Sequence, residues 1–287
     1  MTHILIVEGN SESLVTISSS GHIIGAAERY ANVLAPLADG LSFSVTRPHF
    51  DHDPAPAPDW DMIDGVVFTG SGVNWSADEN QAAPIRAVMA TAFQRGKPVF
   101  GSCYGMQIGA VVMGGKVGVN PAGAELLMAR NIQQTEAGTA HPLYAGKPAQ
   151  FDALCMHRDD VLAVDSSLNI LSTNSHCSIQ SVASLSQDIR FWGVQYHPEL
   201  NFDDVAKYIR RSDVLDFTQL ERISACLGRE VADPDEVIED FKLLACQPDN
   251  PALIEKYDIS HSVASRDIHN LELSNWLNFI QQSHRSI

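Results

Sequence analysis

Over the first 110 residues, short unbroken apolar runs alternate with longer stretches whose apolar positions recur at helical spacing. Ile4, Leu5, Ile6 and Val7 form one run, closed by Glu8-Gly9-Asn10, the form of a strand buried on both faces of a parallel sheet. Ile23, Ala26, Ala27, Tyr30, Val33, Leu34 and Leu37 then follow the i, i+3, i+4, i+7 rule and predict an amphipathic helix. Leu41, Phe43 and Val45 alternate with polar neighbours as in a second strand. Residues 65–70 read as a buried strand entering a glycine turn, and Ile85, Val88, Met89, Ala92 and Phe93 as a helix. Pro98-Val99-Phe100 leads straight into Gly101-Ser102-Cys103-Tyr104-Gly105. This alternation predicts an α/β fold of three layers, with a central, mostly parallel sheet and helices on both faces.

From about residue 116 the pattern changes to short strand candidates at 125–129, 151–156, 168–172, 178–183 and 190–195. After Glu199 the strands stop. Val205 and Ile209, then Val237, Phe241 and Leu244, then Leu273, Trp276, Leu277 and Ile280 mark helices. The division expected is a main domain over residues 1–200 and a helical extension over 201–287, whose apolar faces pack against the main domain rather than docking a partner. The run Asp53-Pro54-Ala55-Pro56-Ala57-Pro58-Asp59 is a surface loop, since each proline removes a donor and restricts its predecessor.

Composition narrows the class. Of 287 residues, 45% are hydrophobic and 19% charged, values of an ordinary globular chain rather than a disordered one. The formal charge of −16 repels phosphate backbones and anionic lipids, and Arg210-Arg211 is the longest basic run, so neither nucleic acid nor a membrane is expected as a partner. No window approaches the ~18 apolar residues of a membrane span, and the N-terminal apolar run is too short for a signal peptide, so a cytoplasmic location is expected. The cysteines at 103, 155, 177, 226 and 246 are odd in number and irregular in spacing, which argues for reduced thiols.

Cys103 is the thiol singled out by its surroundings. Gly-Ser-Cys-Tyr-Gly has the GxCxG form of a nucleophile elbow, a tight strand-to-helix turn that presents the sulfur at a helix N-terminus, where the dipole favours a thiolate. The same five residues also suit a plain turn around a buried cysteine. The strand before them and the helical Met106, Gln107 and Ile108 after them favour the elbow. A thiolate needs a base oriented by a carboxylate. Residues 191–196 form a strand candidate that ends in His197-Pro198-Glu199, at the strand end where α/β sheets present their sites. His49, Asp51, His52 and Asp53 are four possible metal ligands, but they lie beside the proline-rich loop, with no helix to supply i, i+4 donors. A solvated acidic turn is expected there and no metal is assigned.

GSCYGMQ and VQYHPE, 94 residues apart from Cys103 to His197, together resemble the class I glutamine amidotransferases, whose core is flavodoxin-like. The resemblance covers about residues 1–200. It implies a triad of Cys103, His197 and Glu199 that attacks the side-chain amide of glutamine and releases ammonia through a γ-glutamyl thioester. It further implies an oxyanion hole from the backbone N–H groups of Ser71 and Tyr104, with Gly70-Ser71-Gly72 standing where the family has Gly-Gly-Pro. Gly70 and Gln107 match substrate-binding positions. Residues 155–160, Cys-Met-His-Arg-Asp-Asp, resemble the HxD segment of the amidotransferase domain of GMP synthases. That similarity implies a place near the site mouth facing an acceptor or synthetase, and a polar turn between strands explains them as well.

The chain carries no phosphate-binding loop, and the 88 residues after Glu199 are too few for an ATP-pyrophosphatase domain. No cofactor is therefore expected. The first expectation is a stand-alone glutaminase that delivers ammonia to a separate ATP-dependent synthetase. The alternative is a self-sufficient γ-glutamyl amide or peptide hydrolase using the same triad. A non-catalytic regulatory subunit is a third reading, disfavoured by the complete triad. A related cysteine-elbow family of small chaperone and protease-like proteins has its histidine just after the cysteine, where this chain has Tyr104.

Overall fold

The computed structural model describes residues 1–17, 23–53, 56–210 and 217–285; Pro54, Ala55 and Arg211 lie outside them, as does the side chain of Ile23. Nine strands form one sheet: β1 (Thr2–Val7), β2 (Leu41–Thr46), β3 (Gly65–Phe68), β4 (Val99–Ser102), β5 (Glu125–Gln134), β6 (Gln150–His157), β7 (Leu168–Thr173), β8 (Ser181–Ser184) and β9 (Phe191–Val194). Their spatial order is β2-β1-β3-β4-β9-β8-β7-β5-β6. The first five run parallel and the remaining four continue antiparallel. The parallel part and its helices are the predicted α/β core.

Strand periodicity decides what each face buries, because successive side chains point to opposite sides. On one face Ile4, Ile6, Val67, Phe100, Trp192 and Val194 meet α1 (Ala26–Leu34), through Tyr30 and Leu34. On the other, Leu5, Val7, Val66, Phe68 and Val99 meet α2 (Ala83–Gln94) and α3 (Tyr104–Val112), through Ile85, Met89, Met106 and Ile108. The helices after residue 200 share cores with the sheet. Helices α4 (Phe202–Ile209), α5 (Phe217–Leu227), α6 (Pro234–Cys246) and α7 (Pro251–Tyr257) cover the antiparallel end, where Val205, Phe241 and Tyr257 pack with Leu126, Met128 and Leu154. The last helix, α8 (Leu271–Arg285), returns to the parallel end. Its Leu273, Trp276, Leu277 and Ile280 are buried in the same cluster as Ile4, Ile6 and Tyr30.

Two sequence expectations shift for local reasons. The helix expected from residue 23 begins at Ala26, because Ile23–Ile24 pairs with Thr16–Ile17 and the Glu8 carboxylate accepts the Ala27 N–H at 2.8 Å. The strand expected at 178–183 begins at Ser181, because the Asn174 side chain accepts from the N–H groups of His176 and Cys177 and holds that stretch in a turn. None of the five cysteines forms a disulfide; Cys103, Cys155 and Cys177 are buried, and Cys246 is exposed. Among the described residues no helix is long and apolar enough to cross a membrane.

Trp276 is wholly buried between α8 and the sheet. Trp276→Ala should cost about 3–5 kcal/mol of unfolding free energy, measurable by urea titration of the full chain.

Candidate active site

Sheet topology places Cys103 beside His197. Strands β4 and β9 are parallel neighbours with Ser102 opposite Val194, and the Cys103 N–H donates to the Val194 carbonyl at 2.7 Å. Cys103 follows β4 directly and His197 comes three residues after β9, so both stand at the carboxyl ends of adjacent strands. This is the position at which open α/β sheets carry their sites.

The turn at Cys103 is strained, with φ +50° and ψ −109°, outside the conformations a side-chain-bearing residue prefers. The flanking glycines follow from close approach. A Cβ on Gly101 would lie 2.5 Å from the Gly105 carbonyl carbon, and one on Gly105 would lie 2.3 Å from the Phe68 carbonyl oxygen. The sulfur sits deeper than an exposed elbow would place it. Cys103 is only 5% exposed, on a cleft wall, with its thiol 3.7 Å from the Met156 carbonyl oxygen.

His197 and Glu199 are buried with it. His197 Nδ1 donates to Glu199 Oε1 at 2.6 Å, which leaves Nε2 as the ring nitrogen for the thiol. Burial opposes charge on the imidazole, but Glu199 and a Cys103 thiolate outweigh it and raise its pKa to about 10. Burial likewise opposes charge on Glu199, and the His197 imidazolium overcomes it, so the carboxylate pKa is lowered. Two further groups hold that carboxylate. Ser102 Oγ donates to Oε1 at 3.1 Å; the Tyr30 hydroxyl donates to Ser102 Oγ at 2.7 Å and lies 3.2 Å from Oε2. In the sequence Tyr30 stands out only as a member of the apolar stripe of α1. Its hydroxyl was the available signal, since a buried tyrosine O–H needs a partner.

The Gly70-Ser71-Gly72 turn lies against the pair. A Cβ on Gly70 would be 2.5 Å from His197 Cε1 and 3.6 Å from Cys103 Cβ, so only glycine fits. Asn10, which the sequence reading left unassigned, fixes this turn. Its Oδ1 accepts from the Gly72 N–H at 2.9 Å and from Ser71 Oγ at 3.3 Å, while its Nδ2 donates to Glu8 Oε1 at 2.9 Å. With the Gly72 N–H engaged, the N–H groups of Gly70 and Ser71 are the two of the turn that face no acceptor among the described residues. Tyr104 opens α3, where helical N–H groups lack intrahelical partners.

The cleft at Cys103, of about 320 Å³, is lined by Ser71, Trp75, Gln107, Leu126, Arg158 and Tyr208, among others. Gln107 Nε2 donates to the Asp159 carbonyl at 2.6 Å and to Gln195 Oε1 at 3.3 Å, so Gln107 also ties α3 to the HxD segment. His157, Arg158 and Asp159 all line the cleft. His157 is clamped between two carboxylates. Its Nε2 lies 2.9 Å from Glu125 Oε2, and its Nδ1 lies 2.6 Å from Asp160 Oδ1 as a charge contact rather than an aligned hydrogen bond. Burial opposes its charge, yet Asp160 and Glu125 raise its pKa to about 10.

Glu125, Cys155 and His157 are the one group of three possible metal donors that converges among the described residues. Their atoms already satisfy one another and their neighbours: Glu125 accepts from Gln180 and Asn174 as well as facing His157, and burial pushes the Cys155 thiol pKa well up, keeping it neutral. The His49 segment does not assemble into such a group. His49 packs edge-on against Trp75 at 5.6 Å, and Asp53 accepts from the Thr46 hydroxyl and the Arg47 N–H.

Comparisons with known proteins bear on the family and the fold. The family model for "Glutamine amidotransferase class-I" matches residues 40–214. A gamma-glutamyl-L-1-hydroxyisopropylamide hydrolase of a Pseudomonas species is 31% identical over 218 residues, which span 73% of this chain and 71% of that protein. A glutamine-hydrolyzing GMP synthase of Lactobacillus delbrueckii is 32% identical over 152 residues, covering 53% of this chain and only 27% of that enzyme. The crystal structure of a glutamine amidotransferase from Thermotoga maritima shares the fold, with a TM-score of 0.61 over 97% of both chains at 15% identity.

Two pH measurements follow. In Glu199→Gln the His197 imidazole should titrate about 1–3 pH units lower than in the parent, read from its ring NMR signals, because the charge that holds its proton is gone. His157 has a folded pKa of about 10, above its ordinary 6.5. Its stabilisation is therefore complete below about pH 6.5 and lost as pH rises through about 10. Melting curves at neutral pH and above pH 10 should show a larger fall for the parent than for His157→Gln.

Proposed function

Because this chain belongs to the class-I glutamine amidotransferase family, we propose that it is a hydrolase of γ-glutamyl amides, glutamine among them, with water as the terminal acceptor. The Cys103 thiolate attacks the γ-carbonyl carbon, and the N–H groups of Ser71 and Tyr104 receive the developing oxyanion. The His197 imidazolium gives its proton to the leaving nitrogen as the C–N bond breaks, which leaves a γ-glutamyl thioester. Water then attacks the thioester, His197 takes its proton, the C–S bond breaks and glutamate departs. Glu199 keeps the imidazole oriented through the cycle and favours its protonated form each time the proton returns. Gln107 and the backbone at Gly70 hold the substrate beside the thiol.

The observation that carries the choice of water as acceptor is the origin of the cleft wall. Tyr208, on α4, lines the same cleft as Cys103, and α4–α7 share one apolar core with Leu126 and Met156 at its edge. The chain's own α4 thus contributes to the cleft wall and α5–α7 back it, which supports a site walled by this chain itself. The Pseudomonas hydrolase, matched over most of both chains, supports the same reading. The similarity to GMP synthases, confined to about a quarter of those enzymes, supports a second reading: hydrolysis of glutamine to glutamate and ammonia for a separate ATP-dependent synthetase.

Glutamate release by the full chain alone, from glutamine and from γ-glutamyl alkylamides, separates the two. Steady release from both without any partner is expected, with Cys103→Ala lower by at least ~10³-fold. Release from glutamine only, and only once a synthetase with ATP is added, would establish the second reading instead.

A further inference from the structure

The segment from Tyr196 to Leu200 is gripped on alternate residues by a single stretch of chain some 70 positions downstream. The Tyr196 hydroxyl donates to Glu272 Oε1 at 2.7 Å, the Asn270 side-chain amide donates to the Pro198 carbonyl, and His269 Nε2 donates to the Leu200 carbonyl at 2.9 Å. The intervening residues are His197 and Glu199, which face each other, with His197 also facing Cys103. The grip is itself anchored. The Lys147 ammonium pairs with Glu272 Oε2 at 2.9 Å and donates to the Ile268 carbonyl at 2.8 Å, with both charged side chains removed from water. On the sheet side, the Tyr144 and Tyr196 hydroxyls lie 3.0 Å apart.

All of 269, 270 and 272 are buried, and the segment stands just before and at the start of α8. A helix that merely covered the sheet would need apolar contacts alone, as Trp276 and Ile280 supply. Three polar groups spent on one five-residue loop are costly to bury unless matched; Asn270 and Glu272 meet partners there, and His269 does so through Nε2 while its Nδ1 has none among the described residues. Two of them meet main-chain carbonyls, so they fix the backbone path rather than one side chain. The His197–Glu199 distance of 2.6 Å depends on that path, because the residues are two apart with Pro198 between them.

We propose that His269, Asn270 and Glu272 are positioning residues for the His197–Glu199 pair, so that the C-terminal segment sets the geometry of the active site from behind. The proposal rests on the triad reading above, but its test need not. In the full chain, Asn270→Ala removes the donor to Pro198, and Asn270→Asp keeps the shape while replacing the donor by an acceptor. Tyr196→Phe cuts the link to Glu272 and leaves the ring in place. The comparison is Asn275→Ala on α8, whose side chain donates to the Leu143 and Ala145 carbonyls, away from the pair.

Two measurements are made on each: the rate of Cys103 alkylation by iodoacetamide across pH, and kcat and KM for glutamate release. Both Asn270 variants should lose about tenfold or more in alkylation near neutral pH, with the profile moved to higher pH, and kcat should fall about as much with KM within about twofold. Tyr196→Phe should move in the same direction by less, and provides the test should both Asn270 variants fail to fold. Asn275→Ala should leave the alkylation profile in place even if its melting temperature falls equally. An unchanged alkylation profile in folded Asn270 or Tyr196 variants, or an equal change in Asn275→Ala, overturns the proposal. Absence of glutamate release from the parent would instead remove the functional reading and leave the alkylation result to be judged alone.

Discussion

A carboxylate without solvent has to be matched by charge and donors, and Glu199 imposes that demand on the centre of this molecule. Its partners come from three separate parts of the chain: His197 from the loop after β9, Ser102 from β4 and Tyr30 from α1. An unmatched carboxylate at that depth would take up a proton, and His197 would then lose the charge that holds its own. The close packing of β4, β9 and α1 and the protonation state of the site are therefore one constraint. The two motif glycines around Cys103 serve it as well, since they let α3 and β3 approach closely enough for the strand end to meet the histidine loop.

The same logic of matched buried charge recurs on either side of the site. His157 lies between Glu125 and Asp160 on the cleft wall, and Lys147 meets Glu272 where α8 begins. Such pairs contribute little net stability when compared with apolar packing, but removing one partner is costly, so they specify an arrangement. Here they specify where the HxD segment and the C-terminal segment stand relative to the reacting groups. The cleft is built between these fixed points, with Asn10 holding the glycine turn on one rim and Tyr208 supplying part of another.

The parallel half of the sheet was legible because each of its strands is a short apolar run and each crossover helix keeps one apolar stripe. Cys103, His197 and Glu199 were legible for a different reason: a strained turn demands glycines at fixed offsets, and a histidine two residues from a carboxylate at a strand end is visible as spacing. Tyr30, Ser102 and Asn10 were not. Each acts through one hydroxyl or amide whose partner lies 60 or more residues away, and nothing in the local pattern distinguishes such a group from a solvated one. The terminal helix illustrates the same limit. Its apolar stripe indicated that it packs, but not that it packs in the same cluster as β1 and α1.

What the sequence by itself determined is therefore what depends on short-range order: the alternation of strands and helices, the elbow, and which thiol, imidazole and carboxylate stand at the strand ends. The tertiary structure decided everything that depends on who meets whom. It placed β9 beside β4, so that residues 94 apart share one site, and it sank the thiol into a cleft wall. It also turned the last stretch of chain back onto the loop that carries His197. Periodicity encodes which face of an element is apolar, whereas the partner of a single buried polar atom is fixed only when the whole chain has folded around it.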